Sequence, residues 1–143
     1  AEESALWSLD RKDGMEKAYC CFNSNARDFA RFGQLLLNNG RWDGRQLISP
    51  AYLAEATSPD TRLVYKDLGK PNHCYGFQYW ILDYKGMKIP YMRGILGQYV
   101  FTLPEKNAVI VRLGHKRSDT YTADQHYPDD INTWLDAAMD LLQ

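Results

Sequence analysis

The sequence lacks closely spaced metal ligands, an excess of basic residues and long apolar runs. Its three histidines are scattered and no Cys-x-x-Cys pair occurs among its 143 residues, so the sequence predicts no metal site and no cofactor. The formal net charge is -1, whereas a nucleic-acid-binding surface needs a basic excess, so we expect no nucleic-acid partner. The apolar runs are far shorter than the roughly 20 residues that span a bilayer.

Cysteines are also few, and their spacing is unusual. Cys20 and Cys21 are adjacent, and Cys74 is distant from both. An odd count with two adjacent members does not form a disulfide framework. Adjacent cysteines rarely pair because their side chains diverge along the chain, so we expect free, buried thiols. Unpaired thiols fit a reducing compartment.

What is present indicates a globular protein, with 45% apolar, 13% aromatic and 24% charged residues. The length fits one domain or one part of a larger one. Asn25, with Asp28 three residues later, predicts the start of a helix that ends near Asn38, before Asn39-Gly40. Ser49-Pro50 predicts the start of a second helix that runs to about Thr57.

The second half of the chain has the patterns of strands. An aromatic alternation predicts a strand over 75–82, a turn follows at 84–86, and 87–91 forms a short strand. A helical apolar stripe starts near Pro128. We therefore predict an α+β fold, in which helices flank an antiparallel sheet and the C-terminal helix packs on it. Residues 1–74 are mainly helix and loop, and 75–143 hold the strands and the last helix.

The most informative segment is the hairpin of residues 92–114. Glycines Gly94 and Gly97 precede an alternating strand, Pro104 and Asn107 form a turn, and 108–113 is a nearly continuous apolar run. Glycine at the mouth of a strand lets another group approach the backbone. On spacing alone the glycines equally suit a hairpin without function, in which they serve packing.

Three segments of the chain carry a family resemblance: SNARDFARFGQLLL at 24–37 with Gly40, WDGRQLISP at 42–50, and GILGQYVF at 94–101 with Pro104-Glu105-Lys106. Together they resemble the serine β-lactamase and penicillin-binding-protein-like hydrolases. That family includes class C β-lactamases, DD-peptidases, esterases and 6-aminohexanoate-dimer-type amidases. The match covers roughly residues 18–142 in the family's order and spacing, and it corresponds to the C-terminal portion of the family only.

The nucleophile of this family lies in Ser-x-x-Lys, where serine attacks a carbonyl and lysine takes its proton. No serine of this chain has lysine three residues later. Arg11 follows Ser8 at that distance, but arginine stays protonated and is a poor base. The family's Tyr-x-Asn or Tyr-x-Ser motif and a Gly-x-Ser-x-Gly elbow are missing too. The resemblance therefore implies an inactive C-terminal fragment of a serine hydrolase that acts by acyl transfer on an amide or ester bond.

The resemblance also implies a site at the hairpin. The family's third motif usually reads Lys/His-Thr/Gly-Gly, and this chain has Met92-Arg93-Gly94 there. Met92 replaces the usual basic residue, which resembles the amidase and esterase branches more than β-lactam binders. By this match the backbone N–H of Ile95 completes the oxyanion hole, and Gly94 lets substrate approach without a Cβ in the way.

Four side chains are candidate substrate contacts: Met92, Arg93, Gln98 and His126. Arg93 orients substrate or neutralises the intermediate, unless it is a solvated charge at the strand edge. Gln98 hydrogen-bonds across the sheet or reaches the pocket. His126 lies where some amidase relatives carry a site histidine, although an ordinary surface histidine fits the sequence better.

Two other functions stay open. One is a non-catalytic binding or assembly module that keeps the fold, and the other is a true β-lactamase or DD-peptidase. The expected partners are the missing N-terminal part of the same protein and a small amide or ester substrate. An uncovered sheet edge or face predicts homodimers. The family is often exported to the periplasm or beyond, whereas unpaired cysteines suit the cytoplasm, so the compartment stays open.

Overall fold

The fold is known from a computed structural model, which describes residues 2–66 and 68–142. Its first half contains helices α1 (Ala26–Leu37) and α2 (Pro50–Ala56). The same half contains three two-residue antiparallel ladders: β1 (Leu6–Trp7) with β2 (Phe22–Asn23), β3 (Arg41–Trp42) with β4 (Arg45–Gln46), and β5 (Val64–Tyr65) with β6 (Lys70–Pro71).

The second half is one antiparallel sheet and a helix. The strands are β7 (Trp80–Tyr84), β8 (Met87–Gly94), β9 (Gln98–Leu103) and β10 (Ala108–Arg112), in the spatial order β10-β9-β8-β7. A short 3-10 helix, Pro104–Lys106, joins β9 to β10, and α3 (Asp130–Leu141) ends the described chain. The predicted α+β class, with an antiparallel sheet and a C-terminal helix, is confirmed.

Local chemistry sets the helix ends where the sequence predicts them. The Asn25 Oδ1 atom accepts the Asp28 N–H at 2.9 Å, and Ser49 Oγ accepts the Tyr52 N–H at 3.1 Å. Gly40 follows α1 with φ of +78°, and a Cβ there would lie 2.2 Å from the Ile48 carbonyl oxygen. Glycine is therefore required at this position for both backbone conformation and space.

The two long helices cover opposite faces of the sheet. Opposed residues in the ladders share a face, so Tyr91, Phe101 and Ile110 form one surface, here called the α3 face. Ile131 and Leu135 of α3 are fully buried in the cluster formed by this surface. The other surface, the α1 face, is formed by Met92, Val100 and Val111 together with Val109. A Cβ on Gly33 of α1 would touch Val109 and Val100, which places α1 on this side.

The aromatic segment 75–82 departs from the prediction of one continuous strand. Only its last three residues lie in β7. The Phe77 N–H donates to the Ala56 carbonyl oxygen at 2.9 Å, and a Cβ on Gly76 would lie 2.1 Å from that same oxygen. Gly76 therefore lets the chain press against the end of α2, and Gln78 takes a φ of +64°. The alternation of aromatic residues does not come from strand geometry here.

The cysteine prediction is wrong for two of the three residues. A disulfide joins Cys20 to Cys21, whereas Cys74 is a buried free thiol, as expected. Cys21 has a φ of +72°, a backbone conformation that redirects the chain and brings the two neighbouring side chains together. The expectation of diverging side chains assumed ordinary backbone geometry at this position. No helix of the described residues is long and apolar enough to cross a bilayer.

Candidate functional site

The turn between β8 and β9 carries the residues that the sequence alone likened to the third motif of serine hydrolases. Gly94 ends β8 opposite Gln98, which begins β9. Leu96 and Gly97 have φ angles of +60° and +84°, the left-handed conformations that reverse a hairpin. Ile95 stands at the tip with 79% of its surface exposed. Within residues 2–66 and 68–142, no hydrogen bond engages its backbone N–H, which is left as an unpaired donor.

Two side chains from neighbouring strands hold this tip. The Gln98 amide accepts the Gly114 N–H at 3.0 Å and donates to the Gly114 carbonyl oxygen. Arg112 donates from Nη1 to the Gly97 carbonyl oxygen at 2.5 Å and from Nη2 to the Lys116 oxygen at 2.8 Å. A Cβ on Gly97 would lie 1.9 Å from Arg112 Nη1, so glycine at this position makes room for the guanidinium.

Gln98 thus makes the cross-strand hydrogen bonds that the sequence left as one of two possibilities. Its donor and acceptor atoms both face Gly114. A Cβ on Gly94 would lie 3.0 Å from the Cβ of Gln98. The absence of a side chain at Gly94 therefore makes room for Gln98, besides leaving space for a substrate.

Arg93 lies on the α3 face, where its guanidinium carbon is 3.3 Å from the centre of the Trp80 ring. A cation over an indole face is attracted by the negative potential of the ring. Arg93 Nη1 also donates to the backbone oxygen of His126 at 3.0 Å. The structure therefore brings together two of the predicted contact residues, Arg93 and His126, although the backbone of His126 is the part that meets Arg93.

An aromatic cluster surrounds this arginine. His126 packs against Tyr121 and Tyr65 with ring-centre distances of 4.7 and 5.6 Å, and Tyr75 packs against Trp80 at 4.7 Å. These residues come from three separate segments, which are the β5–β6 ladder, the start of β7 and the loop before α3. Arg93 is thus held in a half-buried aromatic setting, and its remaining N–H groups are fixed in direction.

Burial also changes the pKa values of two tyrosines next to the site, Tyr91 and Tyr99. It raises the pKa of Tyr91, although the nearby Arg93 works in the opposite direction. It raises the pKa of Tyr99 to about 12, and the Asp130 carboxylate adds to this effect while Arg112, Arg117 and Arg93 oppose it. Both phenols therefore keep their protons at pH 7.

Met92 lies apart from the other candidates. It is opposite Val100 and so belongs to the α1 face, whereas Arg93 belongs to the α3 face. Sequence reasoning missed Trp80, Arg112 and Tyr121 as neighbours of the site. The position of Arg112 could have been predicted, because the side chains of β10 alternate between the two faces of the sheet. Tyr121 lies in a loop, where no periodic pattern marks it.

The arrangement offers backbone donors, a guanidinium and neutral phenols. These groups bind and orient a carbonyl or an anion, but they do not attack one. Among the described ranges, no three His, Cys, Asp or Glu side chains gather closely enough to hold a metal ion.

Comparison with known proteins finds similarity among solved structures. No family model matches the sequence, and no curated protein matches it. Among solved structures, the chain is similar to one described as "putative 6-aminohexanoate-dimer hydrolase from Bacillus anthracis", with a TM-score of 0.67 and 26% sequence identity. The similarity covers 96% of this chain and 33% of that chain, so this chain spans about a third of its length. The fold is therefore that of one part of a β-lactamase-like hydrolase.

Proposed function

We propose that this chain is the C-terminal part of a serine hydrolase that acts by acyl transfer on an amide or ester bond. The observation that carries the proposal is the third-motif turn, Gly94 to Gly97, placed at the open tip of a hairpin in a β-lactamase-like hydrolase fold. The similar structure is three times as long, which supports a partner segment upstream that supplies serine, lysine and tyrosine.

In this proposal Ile95 stabilises the intermediate. A serine attack on an amide or ester carbonyl puts negative charge on the carbonyl oxygen, and a fixed backbone donor stabilises that charge by a few kcal/mol. The unpaired N–H of Ile95 supports this role, and so does the exposure of both Ile95 and Gly94 in the described chain. Gln98 and Arg112 keep the donor in place by holding the turn.

Arg93 and His126 form the substrate side of the site. The guanidinium, fixed over Trp80, orients the substrate or offsets the developing charge, and the His126 loop frames it. Met92 lies on the other face of β8, so in this proposal it affects the substrate only through the position of the strand. The substrate in this proposal is a small amide or ester.

The test is to produce the chain together with its upstream polypeptide and to treat the folded protein with a fluorophosphonate. We expect one covalent adduct by intact-mass spectrometry, and the chain by itself should give none. A folded, complete protein that forms no adduct would contradict the proposal and favour the non-catalytic binding or assembly module, which the change to Met92 makes the second candidate.

A substrate panel separates the enzymatic alternatives. Hydrolysis of simple esters and linear amides without acylation by penicillin supports the esterase or amidase branch. A penicillin adduct with turnover of a β-lactam or of a D-alanyl-D-alanine peptide supports the β-lactamase or DD-peptidase alternative instead.

A further inference from the structure

Three arginines converge on the α3 face beside the hairpin tip. The guanidinium carbons of Arg93 and Arg117 lie 5.9 and 5.0 Å from the centre of the same ring, that of Tyr121. The guanidinium carbon of Arg112 lies 5.6 Å from the ring of Tyr99. All three arginines act electrostatically on the Tyr99 phenol. The three cations therefore share one small region of the molecule.

These cations have no carboxylate partner among the described residues. The ion pairs of residues 2–66 and 68–142 involve other basic side chains: Arg27, Arg31, Arg62, Lys70, Lys85 and Lys88. The three arginines instead donate to backbone oxygens, those of His126, Gly97 with Lys116, and Ser118. Half-buried guanidinium groups that meet carbonyl dipoles and aromatic rings but no carboxylate leave net positive charge, which favours an anion.

A buried polar group marks the centre of this region. Tyr99 is fully buried, and within the described chain its hydroxyl has no hydrogen-bond partner. A buried hydroxyl without a partner is costly unless a bound group completes it. The Asp130 carboxylate also acts on this phenol, and it accepts the Trp134 indole N–H at 3.2 Å.

We propose that Arg93, Arg112 and Arg117, with the Tyr99 hydroxyl, form a binding site for a phosphate group. Three separate guanidinium forks match an anion with two charges and several acceptor oxygens better than a planar, singly charged carboxylate. The surrounding rings of Trp80 and Tyr121 suit an aromatic or other apolar body attached to that phosphate. This site shares Arg93 with the proposed acyl-transfer site, but phosphate binding requires no group outside the described chain.

The experiment titrates the chain itself with inorganic phosphate at constant ionic strength and follows the Nε–Hε resonances of the arginines by NMR. We expect saturable shifts at Arg93, Arg112 and Arg117, with chloride and acetate producing none of comparable size. Phenyl phosphate forms the second arm. Tighter binding than inorganic phosphate indicates a phosphate carried on an apolar body, and equal binding indicates the free ion.

Variants test the assignment. Arg117→Gln should weaken phosphate binding by about tenfold, the effect of losing one charge-assisted hydrogen bond. Arg45→Gln, an exposed arginine of β4, is the matched control and should bind as the parent does. Arg117→Lys keeps the charge and the fold, and it should lose part of the affinity because it lacks the planar fork.

Two outcomes would overturn the phosphate site. One is an absence of saturable shifts at the three arginines in the folded parent chain. The other is an equal loss of affinity in Arg117→Gln and Arg45→Gln, which would indicate unspecific screening. Neither outcome bears on the hydrolase proposal, because that proposal is tested by the fluorophosphonate adduct on the longer protein.

Discussion

Gly33 of α1 lies directly over Val109 of β10, so closely that a Cβ on the glycine would be 2.4 Å from the valine Cγ1 atom. No real Cβ has a neighbour at that distance, so a larger residue forces the helix and the sheet apart. The packing of α1 on the sheet therefore depends on the absence of a side chain at Gly33.

Gly33→Ala should destabilise the fold by about 1–3 kcal/mol, the usual cost of overpacking a filled interface. The extra methyl group outweighs the gain in helix propensity that alanine brings at an ordinary helical site, which is about 1 kcal/mol. Urea unfolding followed by circular dichroism measures the change. Gln34→Ala, one residue later on the exposed side, is the control and should stay within about 0.5 kcal/mol of the parent. A Gly33→Ala chain as stable as the parent would contradict this packing.

Ile95→Pro removes the backbone N–H that the proposed function needs, since proline has no amide hydrogen. In the longer protein with its upstream segment, we expect kcat to fall by about 10²–10³. Ile95→Ala keeps the N–H and is the control, with kcat close to the parent value. Steady-state kinetics on the best ester or amide of the panel measure both. Equal activity of the proline and alanine variants would exclude Ile95 as the oxyanion donor.

Acid should weaken the fold through Asp28. Burial alone would raise the pKa of this carboxyl, but hydrogen bonds from the Glu2 N–H and the Arg31 guanidinium outweigh it, so the pKa lies below the ordinary value of 3.8. A lowered folded-state pKa gives stability that is present above the ordinary value and is lost as the pH falls through the lowered one. We expect the urea midpoint to hold above about pH 5 and to fall below about pH 4.

The variant Asp28→Asn should flatten that fall, because it removes the titrating group. Asp43→Asn, at the exposed turn between β3 and β4, is the matched control and should keep the slope of the parent. The measurement is the free energy of unfolding at a series of pH values between about 2 and 6. An unchanged slope in Asp28→Asn would show that other carboxylates account for the acid sensitivity.

Thiol counting tests the cysteine pairing. With Cys20 joined to Cys21, alkylation in denaturant without reductant should label Cys74 alone, and alkylation after reduction should label all three cysteines. In native buffer Cys74 should react slowly, because burial hides it and raises the pKa of its thiol. Intact-mass spectrometry reports the number of adducts. The Cys74→Ala variant should give no adduct without reductant, and three adducts on the unreduced parent would rule out the disulfide.

Self-association is expected at β10, which pairs with β9 on one side and with no other strand of the described residues on the other. An uncovered edge offers backbone donors and acceptors to a second copy of the chain. Sedimentation should therefore show an average mass that rises with protein concentration. Val111→Lys places a charge in the edge strand and should shift the equilibrium to monomer. A parent chain that stays monomeric over the whole concentration range would contradict the expectation.

Local chemistry accounts for what the sequence predicted well. The caps at Asn25 and Ser49 depend on side chains within three residues of the helix start, so they are visible without any tertiary structure. The turn after β9 is similar, since Pro104 and the left-handed Asn107 define it locally. The fold class followed from these elements together with the alternation of apolar residues in β9.

Contacts between distant segments account for what the sequence did not predict. The course of the backbone at Gly76 depends on a carbonyl oxygen at the end of α2. Arg93 and Arg117 come together because the loop before α3 brings Tyr121 close to both of them. The Cys20–Cys21 bond depends on one unusual backbone angle. None of these leaves a periodic signal, so pattern analysis placed Arg93 correctly on a strand but missed its neighbours.

Met92 and Arg93 are neighbours in the chain and yet belong to opposite faces of the sheet. A substitution at Arg93 alters the charge and the aromatic contacts beside the hairpin tip, while a substitution at Met92 alters the opposite, half-buried surface of β8. Selection can therefore act on ligand preference and on folding almost separately within one short motif. Relatives that differ at these two positions are free to change one property without losing the other.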